Sequence, residues 1–84
     1  MNAELLNLLC CPETHQTFSV APPALIEQLN QRIARGGLIN RAGRMIVEKI
    51  DDGLLRADGR FLYPVRASIP ILLIDEAIAV PVEN

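Results

Sequence analysis

Cysteine is scarce in this 84-residue sequence, and the two that occur, Cys10 and Cys11, are adjacent. A disulfide framework needs well-separated pairs, and neighbouring cysteines bridge only under strain. The chain therefore reads as reduced, intracellular and cytoplasmic. Tryptophan is absent and only Phe18, Phe61 and Tyr63 are aromatic, so the core has to be built from Leu, Ile and Val. Without aromatics interleaved among basic residues there is no stacking platform for single-stranded nucleic acid. Basic residues are not in excess either. Eight Lys and Arg against ten Asp and Glu give a net charge of −2, which argues against the basic footprint of a free-standing nucleic-acid binder. The first ten residues lack a basic leader segment and include Glu4, so no signal peptide is expected. No apolar run approaches the roughly 20 residues of a membrane span. The longest, Ile69 to Ile74, is of strand length and contains Pro70. Gly53 and Gly59 each follow an aspartate and read as turn glycines; their spacing is not that of a phosphate-binding loop.

What is present is aliphatic. Half of the residues are hydrophobic, in a chain with room for a single domain over 1–84. A domain this small buries only about 60–65% of the surface its unfolded chain exposes, so apolar surface is expected to remain outside as a binding patch. Ala3 to Leu9 reads as one or two helical turns, with Asn2 as N-cap, stopped by Pro12. Thr17 to Val20 alternates as a short strand. Pro22 and Pro23 open the clearest helix, which carries Leu25, Ile26, Leu29 and Ile33 at helical spacing and ends at Gly36-Gly37. Residues 38–50 read as a loose hairpin or an irregular excursion around Arg41-Ala42-Gly43. Asp52-Gly53 and Asp58-Gly59 signal turns. Leu54 to Ala57 and Phe61 to Arg66 form a β-hairpin closed near residues 57–60. Ala67-Ser68 turns the chain, Ile71 to Ile74 makes a last apolar strand, and Asp75 to Val82 is a tail with one helical turn. The order gives a small α+β domain.

Several residues carry candidate chemistry. Cys10, Cys11, Glu13 and His15 offer metal-ligand types within one turn, but no later Cys or His completes a set of four. The plainer assignment makes the cysteines small apolar side chains at a helix end. Cys11 and His15 have the types of a nucleophile and its base, but no third group orients them and a chain this short has little room for a substrate pocket. Arg32, Arg35, Arg41 and Arg44 form a basic stretch suited to RNA phosphates, or simply a solvated helix face and loop. Asp75 and Glu76 alternate faces on an extended chain and are read as ending the last strand. Pro64 and Pro70 lie in strand-like runs, and since proline cannot donate to a ladder they belong at strand ends, edges or bulges.

Two segments resemble a known family. Leu5-Leu6-Asn7-Leu8-Leu9-Cys10-Cys11-Pro12 is similar to its LLxxLxCPxC opening, and Phe61 to Leu73, with Tyr63-Pro64 and Ile69-Pro70, resembles its YPIxxGIPxLL closing signature. The family is that of the small methyltransferase activators, the tRNA methyltransferase subunit 112-like proteins and their short bacterial relatives. The resemblance rests on Cys11, Pro12, Tyr63, Pro64, Ile69 and Pro70. It implies a small zinc-ribbon-like antiparallel sheet of three to four strands, with a short N-terminal helix and one inserted helix. It also implies a non-catalytic partner role with class I methyltransferases that modify tRNA, rRNA or translation factors. The family's zinc form has four cysteines; here only Cys11 matches, with Thr14 at the second position and the other pair falling near Arg56 and Gly59. No cofactor is therefore expected, and the helix from Pro23 to Arg35 is the expected replacement for the metal's stabilisation. Leu5, Leu8, Ile69, Pro70, Ile71 and Leu73 are the expected partner-binding or core residues. An RNA- or ribosome-associated module using the arginine stretch and a self-associating homodimer are the alternatives.

Overall fold

Paired prolines fix where the one long helix starts. In the computed structural model, which describes residues 8–80, strand β1 (Phe18–Val20) runs into helix α1 (Pro23–Ala34). Pro23 occupies the first turn, where a missing N–H removes no helical bond. The helix stops at Gly36, whose φ of 73° suits a residue without Cβ. Gly36 N donates to Ile33 O and Gly37 N to Arg32 O, which closes the last turn. Ile26, Leu29 and Ile33 are buried, as the spacing predicts, and Leu25 is half-buried.

The chain then returns through residues 38–50, an irregular excursion with one isolated bridge between Ile39 and Met45. Its far end is anchored to α1 by the Asn30 side chain, which bonds both the N–H and the carbonyl of Ile50 at 2.9 Å. Strands β2 (Asp52–Arg56), β3 (Phe61–Arg66), β4 (Ile69–Pro70) and β5 (Ile78–Ala79) follow. All pairings are antiparallel in the order β1-β2-β3-β4, with β5 beside the Phe61 end of β3. The small α+β fold with a curled antiparallel sheet is as expected. Of the N-terminal helix expected over residues 3–9, only its end lies among the described residues, and Leu8 is helical.

Several local expectations are corrected. Asp52-Gly53 is not a turn but the start of β2, and Gly53 is there because a Cβ would lie 2.7 Å from Cδ1 of buried Leu62. The strand expected over 71–74 is β4 at Ile69–Pro70 instead. Ile71 N donates to Pro64 O, but Pro64 has no N–H to return the bond, so the ladder ends there. Asp75 and Glu76 do not end a strand but lie in a 3-10 turn, Ile74–Glu76, where the tail's helical turn is expected, and Ile78–Ala79 of that tail form β5. Pro64 itself lies inside the central strand; it tolerates the position because the N–H it lacks would face the edge where β4 stops. Pro70 pairs with Val65 at a position whose backbone groups face outward, so the outer edge of β4 lacks a donor there.

Alternating residues feed two cores on opposite faces of the sheet. Leu62, Ile78 and Val80 pack with Ile26, Leu29, Ile33, Leu38, Ile46 and Ile50 on the α1 face. Leu54, Tyr63 and Val65 pack with Phe18, Cys11 and Ala77 on the other.

Candidate functional site

The second core ends in a polar cluster. Backbone bonds from Cys11 N to Gln16 O and from His15 N to Cys11 O curl residues 11–16 into a knuckle. A φ of 61° at His15 completes the curl. Opposite it, Gly59 N donates to Arg56 O in the turn between β2 and β3. Arg56, buried at 5% exposure, projects its guanidinium between the two. It donates to both carboxylate oxygens of Asp58, at 2.9 and 2.6 Å, and to Glu13 Oε1 at 3.1 Å, and it lies 3.9 Å from Cys11 Sγ. Arg41 donates to the same Glu13 oxygen at 2.7 Å. Both guanidinium groups sit over the Phe61 ring, at 4.5 and 4.8 Å from its centroid, in cation–π contact.

Electrostatics follow from this geometry. Burial pushes the Cys11 thiol up, but bonds from the Thr14 and Tyr63 hydroxyls and from the Thr14 and Glu13 backbone outweigh it, and the pKa falls to about 6. The Tyr63 hydroxyl, 3.2 Å from the sulfur, is pushed up by burial and by the bond it gives to Cys11. Arg56 holds Asp58 well below the usual carboxylate range, and Arg41 lowers Glu13. Cys11 is fully buried, so its sulfur is an acceptor inside the fold and is closed to a reactant. His15 and Cys10 are exposed, and no hydrogen bond joins the His15 ring to Cys11 among the described residues. No three His, Cys, Asp or Glu residues among them converge as metal ligands.

The proposed partner residues separate into two groups. Leu8, Ile69 and Leu73 are exposed, while Pro70 and Ile71 are half-buried; Leu5 lies outside the described residues. Leu73 lines one of two grooves that meet at Arg44 and Glu76. That groove is also lined by Pro12, Leu72 and Ile74, the other by Met45, Val47 and Arg66. Exposed aliphatic side chains thus line both grooves, with Val47 at 78% exposure and Leu73 at 61%. Among the four arginines, Arg41 is held by Glu13, Arg32 is half-buried on α1, and Arg35 and Arg44 are exposed on separate elements.

The fold has a solved counterpart. The solution NMR structure of XF2673 from Xylella fastidiosa superposes with a TM-score of 0.73 at 34% sequence identity, covering 94% of this chain and 81% of that one. The chain belongs to the XF2673 family. No protein-family model and no curated protein matches the sequence.

In this XF2673-family chain, two positions marked by motif are physically joined, since Cys11 and Tyr63 bond each other across 52 residues of sequence. Of the four positions where the resemblance places cysteines, Cys11 and Arg56 also approach one another. Sequence reasoning recorded Arg56 only as a lost ligand. The available signal was the pair of acids, Glu13 beside Thr14 and Asp58 beside Gly59. A cation between two anions holds the knuckles together from the chain's own side chains.

Proposed function

We propose that the protein is a non-catalytic, cytoplasmic binding partner that stabilises or activates a class I methyltransferase acting on tRNA, rRNA or a translation factor. The observation that carries this reading is exposed aliphatic surface: Leu73 of the closing motif and Ile74 line one groove, Met45 and Val47 line the groove that meets it at Arg44 and Glu76, and Ile69 of the same motif is exposed as well. Exposed apolar surface rimmed by charge is the usual form of a protein-binding site. The methyltransferase as partner comes from the motif resemblance. Strand addition has an edge available: Ala21 N donates to Gly53 O and Ala57 N to Thr17 O, so the backbone groups of Phe18 and Val20 face away from β2.

The test is affinity capture of the tagged protein from its native extract, followed by activity assays on the captured enzyme. A methyltransferase should be enriched at near-equal stoichiometry and lose activity when the protein is removed. A Leu73→Glu variant should fold normally and capture none. Recovery of ribosomal proteins alone, released by salt, or a homodimer closed through this surface, would overturn the proposal.

A further inference from the structure

Between α1 and the segment entering β2 lies a cleft of about 620 Å³. It shares no lining residue with the two grooves that meet at Arg44 and Glu76. Its floor is apolar, with buried Ala21 and Ile26 flanked by Val20, Pro23 and Ala34. Its rim carries three carboxylates, Glu27, Asp51 and Asp52, against one ammonium, Lys49. Among the described residues no ion pair neutralises these carboxylates. Asp51 accepts from Ala67 N and Asp52 from Gly53 N through one oxygen each, and among the described residues the other oxygen of each accepts no hydrogen bond. Asn30, also at the cleft, is committed to Ile50.

An apolar floor beneath an acidic rim suits neither a bare metal ion, which requires oxygen on all sides, nor a purely aliphatic side chain. It matches a long basic side chain, whose methylene stem covers apolar surface while its head meets charge. We infer that this cleft receives an arginine or lysine side chain from an extended segment of another polypeptide. The stem lies on Ala21 and Ile26, and the cationic head lies between Glu27 and those second oxygens of Asp51 and Asp52. The inference concerns a second contact and does not depend on the partner being a methyltransferase.

The experiment is an amide NMR titration of the intact protein with a blocked pentapeptide, Thr-Val-Arg-Val-Thr, and with its citrulline counterpart, which is neutral and nearly isosteric. The arginine peptide should shift the amides of Val20, Ala21, Glu27, Gln31 and Asp52 saturably in the millimolar range. The citrulline peptide should bind about tenfold more weakly, because a charge-assisted bond exceeds a neutral one. Glu27→Gln should weaken arginine-peptide binding while leaving the rest of the spectrum in place. Absence of shifts at those amides, or equal binding of the two peptides to the wild-type protein, would overturn the assignment without reliance on any variant.

Discussion

The guanidinium of Arg56 joins Glu13, Asp58 and the sulfur of Cys11, and its neighbours set a pH dependence. The Cys11 pKa falls from about 9 to about 6 on folding. A group lowered by folding contributes fully above its unfolded pKa, and that contribution is lost as pH falls through the folded value. The denaturation midpoint of the wild type should therefore decline from pH 9 toward pH 6, and Cys11→Ser should remove that slope. Thiolate absorbance should titrate near 6 in the folded protein. Parallel profiles for the two proteins would show that Cys11 carries no such coupling. Glu13 and Asp58 act with the same sign at lower pH, being lowered by Arg41 and Arg56 respectively. Of this cluster, Cys11 and Tyr63 were legible as motif positions. Arg56 was not, because an arginine ending the run Leu54-Leu55 looks like a residue heading for solvent. Its burial depends on which strand face the register assigns it to, and Leu54 opposite Tyr63 is what sets that face.

The hairpin joining β3 to β4 turns on two residues, Ala67 and Ser68, with φ of 51° and 63°. A two-residue loop with both φ positive matches the right-handed strand twist, and glycine or asparagine normally supplies it. Each left-handed non-glycine residue costs about 1 kcal/mol or more. Ser68 is exposed and occupies the glycine position of the closing motif. Ser68→Gly should thus raise the melting temperature by about 4–8 °C for each kcal/mol of strain relieved. An unchanged or lower melting temperature by differential scanning calorimetry would mean that the strain is compensated elsewhere. Elements whose signals are local were legible. The helical spacing of Ile26, Leu29 and Ile33 and the turn at Asp58-Gly59 both appear in the fold. Elements whose limits depend on a partner strand were not. The ladder stops after Pro70 because of Pro64, across the hairpin, and Asp52-Gly53 stays extended because Leu62 fills the space above Gly53.

Strands β2 and β3 place alternate side chains in both cores, so the two faces share their central elements. Neither core keeps its framework if the other is lost, and unfolding should be a single transition. The molecule provides separate optical reports, since its one tyrosine, Tyr63, lies on the face opposite α1. In Leu29→Ala, where a fully buried side chain is truncated at a cost of about 2–5 kcal/mol, the near-ultraviolet signal of Tyr63 and the far-ultraviolet helix signal should move together to a lower midpoint. Two separated transitions would show the faces to be independent. The two borders of the sheet are also unlike. Phe18 and Val20 of β1 turn backbone donors and acceptors outward, whereas β4 presents Pro70, which has no donor to give. Growth of a fibre by head-to-tail strand stacking would require every copy to be receptive at both ends. A copy docked through β1 offers a poor template at β4, so stacking of this kind terminates at a pair, and the proline acts as a chain stopper at high concentration.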